Sequence, residues 1–298
     1  MKFVLIILSV LFSVSAAAQS DRFDKVQIKT TQLAQNIYML EGEGGNIGVS
    51  VGDDGVFLID DQFAPLTTRI LAAIKAISDK PVRFLLNTHW HFDHTGGNEN
   101  LGKAGVVIFA QDNVRKRLST KTAIDFFKSS YGPSAPAALP VVTFKETVTF
   151  HLNGDEATAI HMPNAHTDGD SIIHFRNANV IHMGDTYFNG LYPFIDTGTN
   201  GSVKGMIAAA DRGLALSDDT TKIIPGHGPL SNKAELKTYR DMLAKVSAKV
   251  EAMVKAKKTL ARVVAAKPTR DYDAAWGNGF LKPDQFVEIV YTSAVKGR

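Results

Sequence analysis

A chain of 298 residues with 44% hydrophobic composition is long enough to bury a real core, as one large domain or two small ones. Its 33 basic and 30 acidic side chains leave a formal charge of +3, which gives no electrostatic case for a nucleic-acid or strongly acidic partner. The chain has no cysteine, so disulfides and thiolate ligands are excluded and any metal ion must be held by nitrogen and oxygen.

In chain order, the first element is a leader. Lys2, the apolar run FVLIILSVLFSV and then Ala16, Ala17 and Ala18 read as a secretory signal peptide over residues 1–18, with Gln19 as the mature start. The run is shorter than the roughly 20 residues that span a bilayer. No other long apolar stretch follows. The expectation is a periplasmic or secreted protein, free of the membrane once the signal is removed, with residues 19–298 as a single catalytic domain. No pattern specifies an oligomeric state.

Short segments rich in β-branched and aromatic residues follow: QIKTTQ, NIYML, NIGVSV and GVFLID, punctuated by Gly and Asp. LTTRILAAIKAIS has the spacing of an amphipathic helix, and PVRFLLNT that of a buried strand. VVIFA reads as a strand, DNVRKRL and TAIDFFKSS as helices, and YGPSAPAALP as a surface loop. A second strand-rich block holds ETVTFHL, ATAIHMP, SIIHFR and NVIHMG. SVKGMIAAADRGLAL is helical, TKIIPG is a short strand, and the tail is mostly helix. There, Leu236, Tyr239, Leu243, Val246, Val250 and Met253 recur every three or four residues, and Asn232 with Glu235 resembles a capping box. Two successive α/β halves, each with helices outside a sheet, predict a four-layer αβ/βα sandwich, although periodicity does not choose it over other α/β folds.

One segment stands apart. THWHFDHTGG places His89, His91, Asp93 and His94 within six positions, interleaved with Trp90 and Phe92. A helical zinc motif needs histidines at i and i+4 on one face. Offsets of two, four and five from His89 suit a loop instead, delivered by the strand LLNT to one end of a sheet. A lone histidine is usually structural, but so many crowded polar groups need a compensating charge if buried. Three later residues offer matching chemistry at strand edges beside turn formers: His166 in NAHTDGD, Asp185 in HMGDTYF and His227 in PGHGP. His151, His161, His174 and His182 lie in or beside strands without such a context and read as structural.

Taken in order, Leu58 to Asp60, THWHFDHTGG, AHTDGD, GDT and PGHG resemble the metallo-β-lactamase superfamily across essentially the whole mature chain. The resemblance implies the αββα sandwich and a binuclear site on one edge of its sheets. It implies that His89, His91 and His166 hold one metal, that Asp93, His94 and His227 hold the second, and that Asp185 bridges them. Two zinc ions suit such ligands. Relatives that use iron for redox chemistry carry Glu at the place of His91, which disfavours that branch. Asp60 is expected to orient one of the ligands. In the implied mechanism one cation lowers the pKa of water from 15.7 to about 7 and the other polarises a carbonyl. Asp93 is the expected catalytic residue, both holding metal and orienting the attacking group. No serine or cysteine nucleophile is needed.

The expected substrate is a small molecule. Export favours β-lactams and acyl-lactones over a cytosolic thioester. The Asp185 in GDT, however, is the pattern of thioesterase- and lactonase-like members, and two lactamase subclasses use a cysteine that this chain lacks. The leading expectation is a zinc hydrolase opening an amide or ester, with β-lactamase-type activity. The alternatives are a thioesterase, lactonase or other esterase, and a non-catalytic metal-binding periplasmic protein. Trp90, Phe92, Tyr187, Phe188, Asn189 and Tyr192 are candidates for the substrate wall, with Trp90 and Phe92 placed by preference beneath the loop.

Overall fold

The computed structural model of the chain describes residues 22–297, and the expected leader lies outside the described residues. The first sheet opens with β1 (Lys29–Gln32), β2 (Ile37–Glu41), β3 (Ile47–Ser50) and β4 (Val56–Ile59), each antiparallel to the next. It then switches to parallel pairing. Helix α1 (Thr67–Lys75) carries the chain over to β5 (Val82–Asn87), and two short helices, α2 (Phe92–Thr95) and α3 (Asn98–Lys103), lead to β6 (Val107–Gln111). Parallel neighbours need such crossovers, because a tight turn cannot return the chain in the same direction. After α4 (Asp112–Leu118) comes a small hairpin, β7 (Thr122–Ile124) with β8 (Ser129–Tyr131), and then β9 (Val142–Phe144) completes the sheet.

The second sheet runs antiparallel through β10 (Thr147–Leu152), β11 (Asp155–His161), β12 (Ser171–Phe175) and β13 (Val180–His182). Helix α5 (Val203–Leu216) crosses over to β14 (Lys222–Ile224), parallel to β13, and β15 (Ser231–Asn232) closes the edge. The chain ends in α6 (Lys233–Lys255), α7 (Leu260–Ala265), α8 (Asp273–Trp276) and α9 (Pro283–Val295). None of the described helices is long and apolar enough to cross a membrane.

Period-two alternation builds the layers. In β4, Phe57 and Ile59 point between the sheets, where they meet Ile173, Phe175 and Ile224. Their neighbours Val56 and Leu58 point outward against Ile70 and Ile74 of α1. In the second sheet Ile172, Ile181 and Ile223 face outward against Met206 and Ala210 of α5 and Leu243 and Val246 of α6. Both faces of each sheet are therefore covered over the central strands, which gives the helix–sheet–sheet–helix sandwich. The α6 stripe of Leu236, Tyr239, Leu243, Val246 and Val250 is buried as its spacing requires. Asn232 caps it, accepting from Glu235 N at 3.0 Å. The Glu235 carboxylate does not complete the box; it accepts from Ser231 Oγ at 2.8 Å instead.

Two segments differ from their sequence readings, the first being THWHFDHTGG, expected as a loop throughout, which carries Asp93 and His94 on the one-turn helix α2. The second, TAIDFFKSS, is not a helix but the β7–β8 hairpin, closed by a short 3₁₀ turn and by Lys128 at φ 50°. Thr122 and Ile124 are buried and Phe126 partly so, whereas Ala123, Asp125 and Phe127 are exposed. Over Thr122–Ile124 that alternation is a strand signature.

Candidate metal centre

Strand β5 is buried over its last three residues, Leu85 to Asn87, and the chain then leaves the sheet. Asp60, one residue past β4, pins the departure: its carboxylate accepts from Thr88 N and Thr88 Oγ1, both at 2.7 Å. Asp60 sits at φ 64°, a left-handed conformation that turns its side chain towards the neighbouring strand. The far end of the loop is tied back by reciprocal amide bonds between Asn87 and Asn98, at 3.0 and 2.9 Å, and by Gly97 N donating to Asp61 Oδ1 at 2.9 Å. His166 follows β11 in a turn whose Thr167 N and Oγ1 donate to Asp170 at 2.7 and 2.8 Å. Asp185 lies in the 3₁₀ turn after β13, and His227 lies just beyond β14. These loops all leave carboxyl ends of strands, so they gather at one edge of the sandwich.

Seven side chains meet there. The potential ligand atoms of His89, His91 and His166 lie within 4.8 Å of one another, as do those of Asp93, His94 and His227. Asp185 reaches both groups: its Oδ1 lies 3.0 Å from His94 Nε2, and its Oδ2 lies 3.4 Å from His227 Nε2 and 3.5 Å from His166 Nε2. Asp93 Oδ2 is 3.2 Å from His227 Nε2 and 3.7 Å from His94 Nε2. Backbone crowds in around them. A Cβ on Gly45 would fall 2.0 Å from His94 Cε1, and one on Gly226 would fall 2.0 Å from Asp185 Oδ1.

The donor set fits divalent ions. Four of the imidazoles turn one nitrogen inward while a protein group engages the other, which fixes the ring and its tautomer. His89 Nδ1 meets Thr88 Oγ1 at 3.1 Å, and His94 Nδ1 meets Asp60 Oδ2 at 2.8 Å. His166 Nδ1 donates to Phe194 O at 2.8 Å, and His91 Nε2 meets Asp196 Oδ2 at 3.2 Å. The inward atom His89 Nε2 is buried and has no hydrogen-bond partner, and His94 Nε2 and Asp185 Oδ1, though 3.0 Å apart, are not aligned for a hydrogen bond with each other. Buried polar atoms left in that state are costly unless an ion or water satisfies them. All-nitrogen-and-oxygen donors gathered this closely suit divalent metal ions, zinc among them.

The charges are mutually dependent. Burial drives His89 well below the usual imidazole range, with His94 adding to the effect. Burial likewise takes His166 down to about 4, against the pull of Asp185. For His94 burial acts in the same direction but loses: Asp185, Asp93 and Asp60 hold it well above its ordinary value. His227 is pushed up to about 9, burial being outweighed by Asp185 and Asp93. Burial opposes ionisation of Asp93 and Asp185, yet the neighbouring imidazoles, His94 first, keep both carboxyls below the ordinary range. Cations placed among these groups would replace protons.

The cluster floors a cavity of about 460 Å³, a size suited to a small molecule. Its walls are mainly rings: Phe63, Phe92, Phe127, Phe188, Phe194 and Phe280. Several wall assignments need correction. Trp90 is 1% exposed and packs beneath the loop, edge-on to His91 with centroids 4.6 Å apart. Phe92 does line the cavity, against Tyr131 at 4.0 Å. Tyr187 turns into the core beside Tyr239 and bonds Ser231 Oγ at 2.7 Å. The next residue, Phe188, faces the opposite way and stacks on His227 at 5.1 Å. Asn189 is turned away to Pro229 O at 3.1 Å, and Tyr192 is buried on Phe286 with its hydroxyl 2.9 Å from Asp273 Oδ1. Sequence reasoning passed over Asp196, Phe194, Phe127 and Phe280, which no local motif marks. His182 bonds Asn46 O at 3.0 Å and His161 meets Asp170 O at 3.2 Å, apart from the ligand atoms.

Residues 30–227 match the family model of the metallo-beta-lactamase superfamily. The chain belongs to that superfamily. As a metallo-β-lactamase superfamily member it is a metal-dependent hydrolase. It is 23% identical over 239 residues to the metallo-beta-lactamase type 2 of Bacteroides fragilis, which covers 76% of this chain and 90% of that protein. It is 28% identical over 148 residues to a hydroxyacylglutathione hydrolase of Gloeobacter violaceus, over 46% of this chain and half (50%) of that one. Among solved structures, a stereoselective inverting sec-alkylsulfatase from Pseudomonas sp. superposes with a TM-score of 0.68 at 19% identity, over 89% of this chain and 50% of the sulfatase. At that identity the likeness speaks for the fold.

Proposed function

We propose that this superfamily hydrolase is an exported binuclear zinc enzyme that cleaves an ester-type carbonyl bond (ester, thioester or lactone) in a small molecule. The observation that carries the reading is the position of Asp185, within 3.0 to 3.5 Å of imidazoles from both triads at the floor of a ring-lined cavity. His89, His91 and His166 would hold one ion, Asp93, His94 and His227 the other, and Asp185 both. When bound, such ions supply Lewis acidity, lowering the pKa of water to about 7 and polarising a carbonyl oxygen.

The protein's own groups supply the rest. Asp93, with 27% of its side chain exposed, lines the cavity and is held ionised. Its carboxylate accepts a hydrogen bond from the attacking water, and that directs the oxygen lone pair at the substrate carbonyl. The proton released from the water as it attacks ends on the leaving group. Phe188 and Phe194, both buried, present apolar surface beside the ligands. The leader-like residues 1–18 support action outside the cytoplasm.

β-Lactam ring opening is the second reading, favoured by the similarity to the Bacteroides enzyme. It ranks second because a β-lactam antibiotic carries a carboxylate. Arg22, the one Lys or Arg lining the cavity among the described residues, is already ion-paired with Glu43.

The test is a side-by-side assay of the zinc-loaded protein on an aryl ester, an acyl-lactone, a glutathione thioester and a penicillin, with and without chelator. Turnover of ester-type substrates, lost on chelation, is expected. The His91→Ala variant should lose at least a hundredfold in kcat/KM while keeping its circular dichroism. Tight zinc binding without turnover of any substrate would make the protein a metal-binding protein and overturn the reading.

A further inference from the structure

Two large apolar side chains at the cavity are left in water: Phe127 is 47% exposed and Phe280 is 55% exposed. A single exposed phenylalanine is ordinary. These two are different because each ends a row of rings that starts on a ligand histidine. On one side, Phe194 lies 5.9 Å from His91, and Phe127 lies 4.8 Å from Phe194. On the other, Phe188 stacks on His227 at 5.1 Å, and Phe280 lies 6.5 Å from Phe188. All four phenylalanines line the same cavity. Their sources are independent. Phe127 sits in the turn of the β7–β8 hairpin, whereas Phe280 precedes α9, beyond the residues 30–227 that match the family.

We infer that Phe127 and Phe280 are specificity-determining jaws that grip an uncharged apolar acyl group of the substrate while its carbonyl lies over the ligand cluster. The inference rests on the hydrolase reading and names its substrate class. Two facts argue for an apolar arm over a charged one. The rows of rings run unbroken from the ligands to the mouth. Arg22, the one Lys or Arg in the wall among the described residues, sits at the exposed rim and pairs there with Glu43. Each methylene drawn from water into such a cleft strengthens binding about fourfold.

The test is calorimetric titration of the zinc-loaded protein with butyrate, hexanoate, octanoate and decanoate, the carboxylate products of ester cleavage, paired with kcat/KM for the matching aryl esters. Affinity should rise about fourfold per methylene. In the Phe127→Ala/Phe280→Ala double variant the loss should grow with chain length, within about twofold for butyrate and about tenfold or more for decanoate. Phe127→Leu/Phe280→Leu should restore most of it. Equal affinity for all four acids, or an identical slope in wild type and double variant, overturns the inference. A length-dependent binding series without hydrolysis upholds the jaws and sinks the hydrolase reading instead. Turnover that ignores chain length does the reverse.

Discussion

Asp196 shows how one residue outside the ligand set can govern it. Its carboxylate meets His91 Nε2 at 3.2 Å while also accepting from Thr199 Oγ1 at 2.7 Å and from Gly198 N at 3.1 Å. It therefore holds the imidazole so that Nδ1 faces the cluster, where His166 Nε2 lies 2.8 Å away. Asp196→Asn should weaken zinc affinity about 10- to 100-fold with little change in Tm, measured by competition with a chromophoric chelator. Unchanged affinity would reduce Asp196 to a loop cap. His227 makes a second, pH-dependent case. Its pKa is raised to about 9, so the proton is held at neutral pH and leaves as pH climbs through that value. A protonated imidazole cannot ligate. Zinc affinity should thus rise between pH 6 and pH 8, about tenfold per unit for each proton displaced. Zinc titrations at pH 6, 7 and 8 that superpose would contradict this.

At the scale of elements, the turn after Asp185 divides structural from functional side chains by simple alternation. Tyr187 points into the core and Phe188 into the cavity. Tyr187→Phe removes the hydroxyl bonded to Ser231 and should cost about 1 kcal/mol of stability. It should leave KM where it was, which denaturation and steady-state kinetics would show together. A changed KM at constant stability would return Tyr187 to the substrate wall. The same alternation made the β7–β8 hairpin readable in principle. Its aromatic pair Phe126 and Phe127 reads as a helical stripe only if both are taken as buried, and Phe127 is not.

Over the whole molecule, what could be read in advance was what short-range pattern encodes. Strand alternation in GVFLID and PVRFLLNT, and the stripe of α6, fixed element order and hence the layers. Crowding of His89, His91, Asp93 and His94, with Gly-flanked donors at later strand ends, marked the centre. Asp196, Phe194 and Phe280 were not legible. They reach the centre from 105 residues beyond His91 in one case, and from the helical tail in another, so only the closed sandwich reveals them. Trp90 and Tyr192 illustrate the converse: large side chains near ligands in sequence that fold away beneath them.

The most direct measurement is the metal content of the exhaustively dialysed protein, by plasma mass spectrometry, alongside its turnover before chelation, after chelation and after zinc is restored. Close to two equivalents of zinc, with turnover lost and regained in step, is the expected result, and Asp185→Asn should retain fewer. A protein that carries no divalent ion and still hydrolyses its substrate would contradict the account.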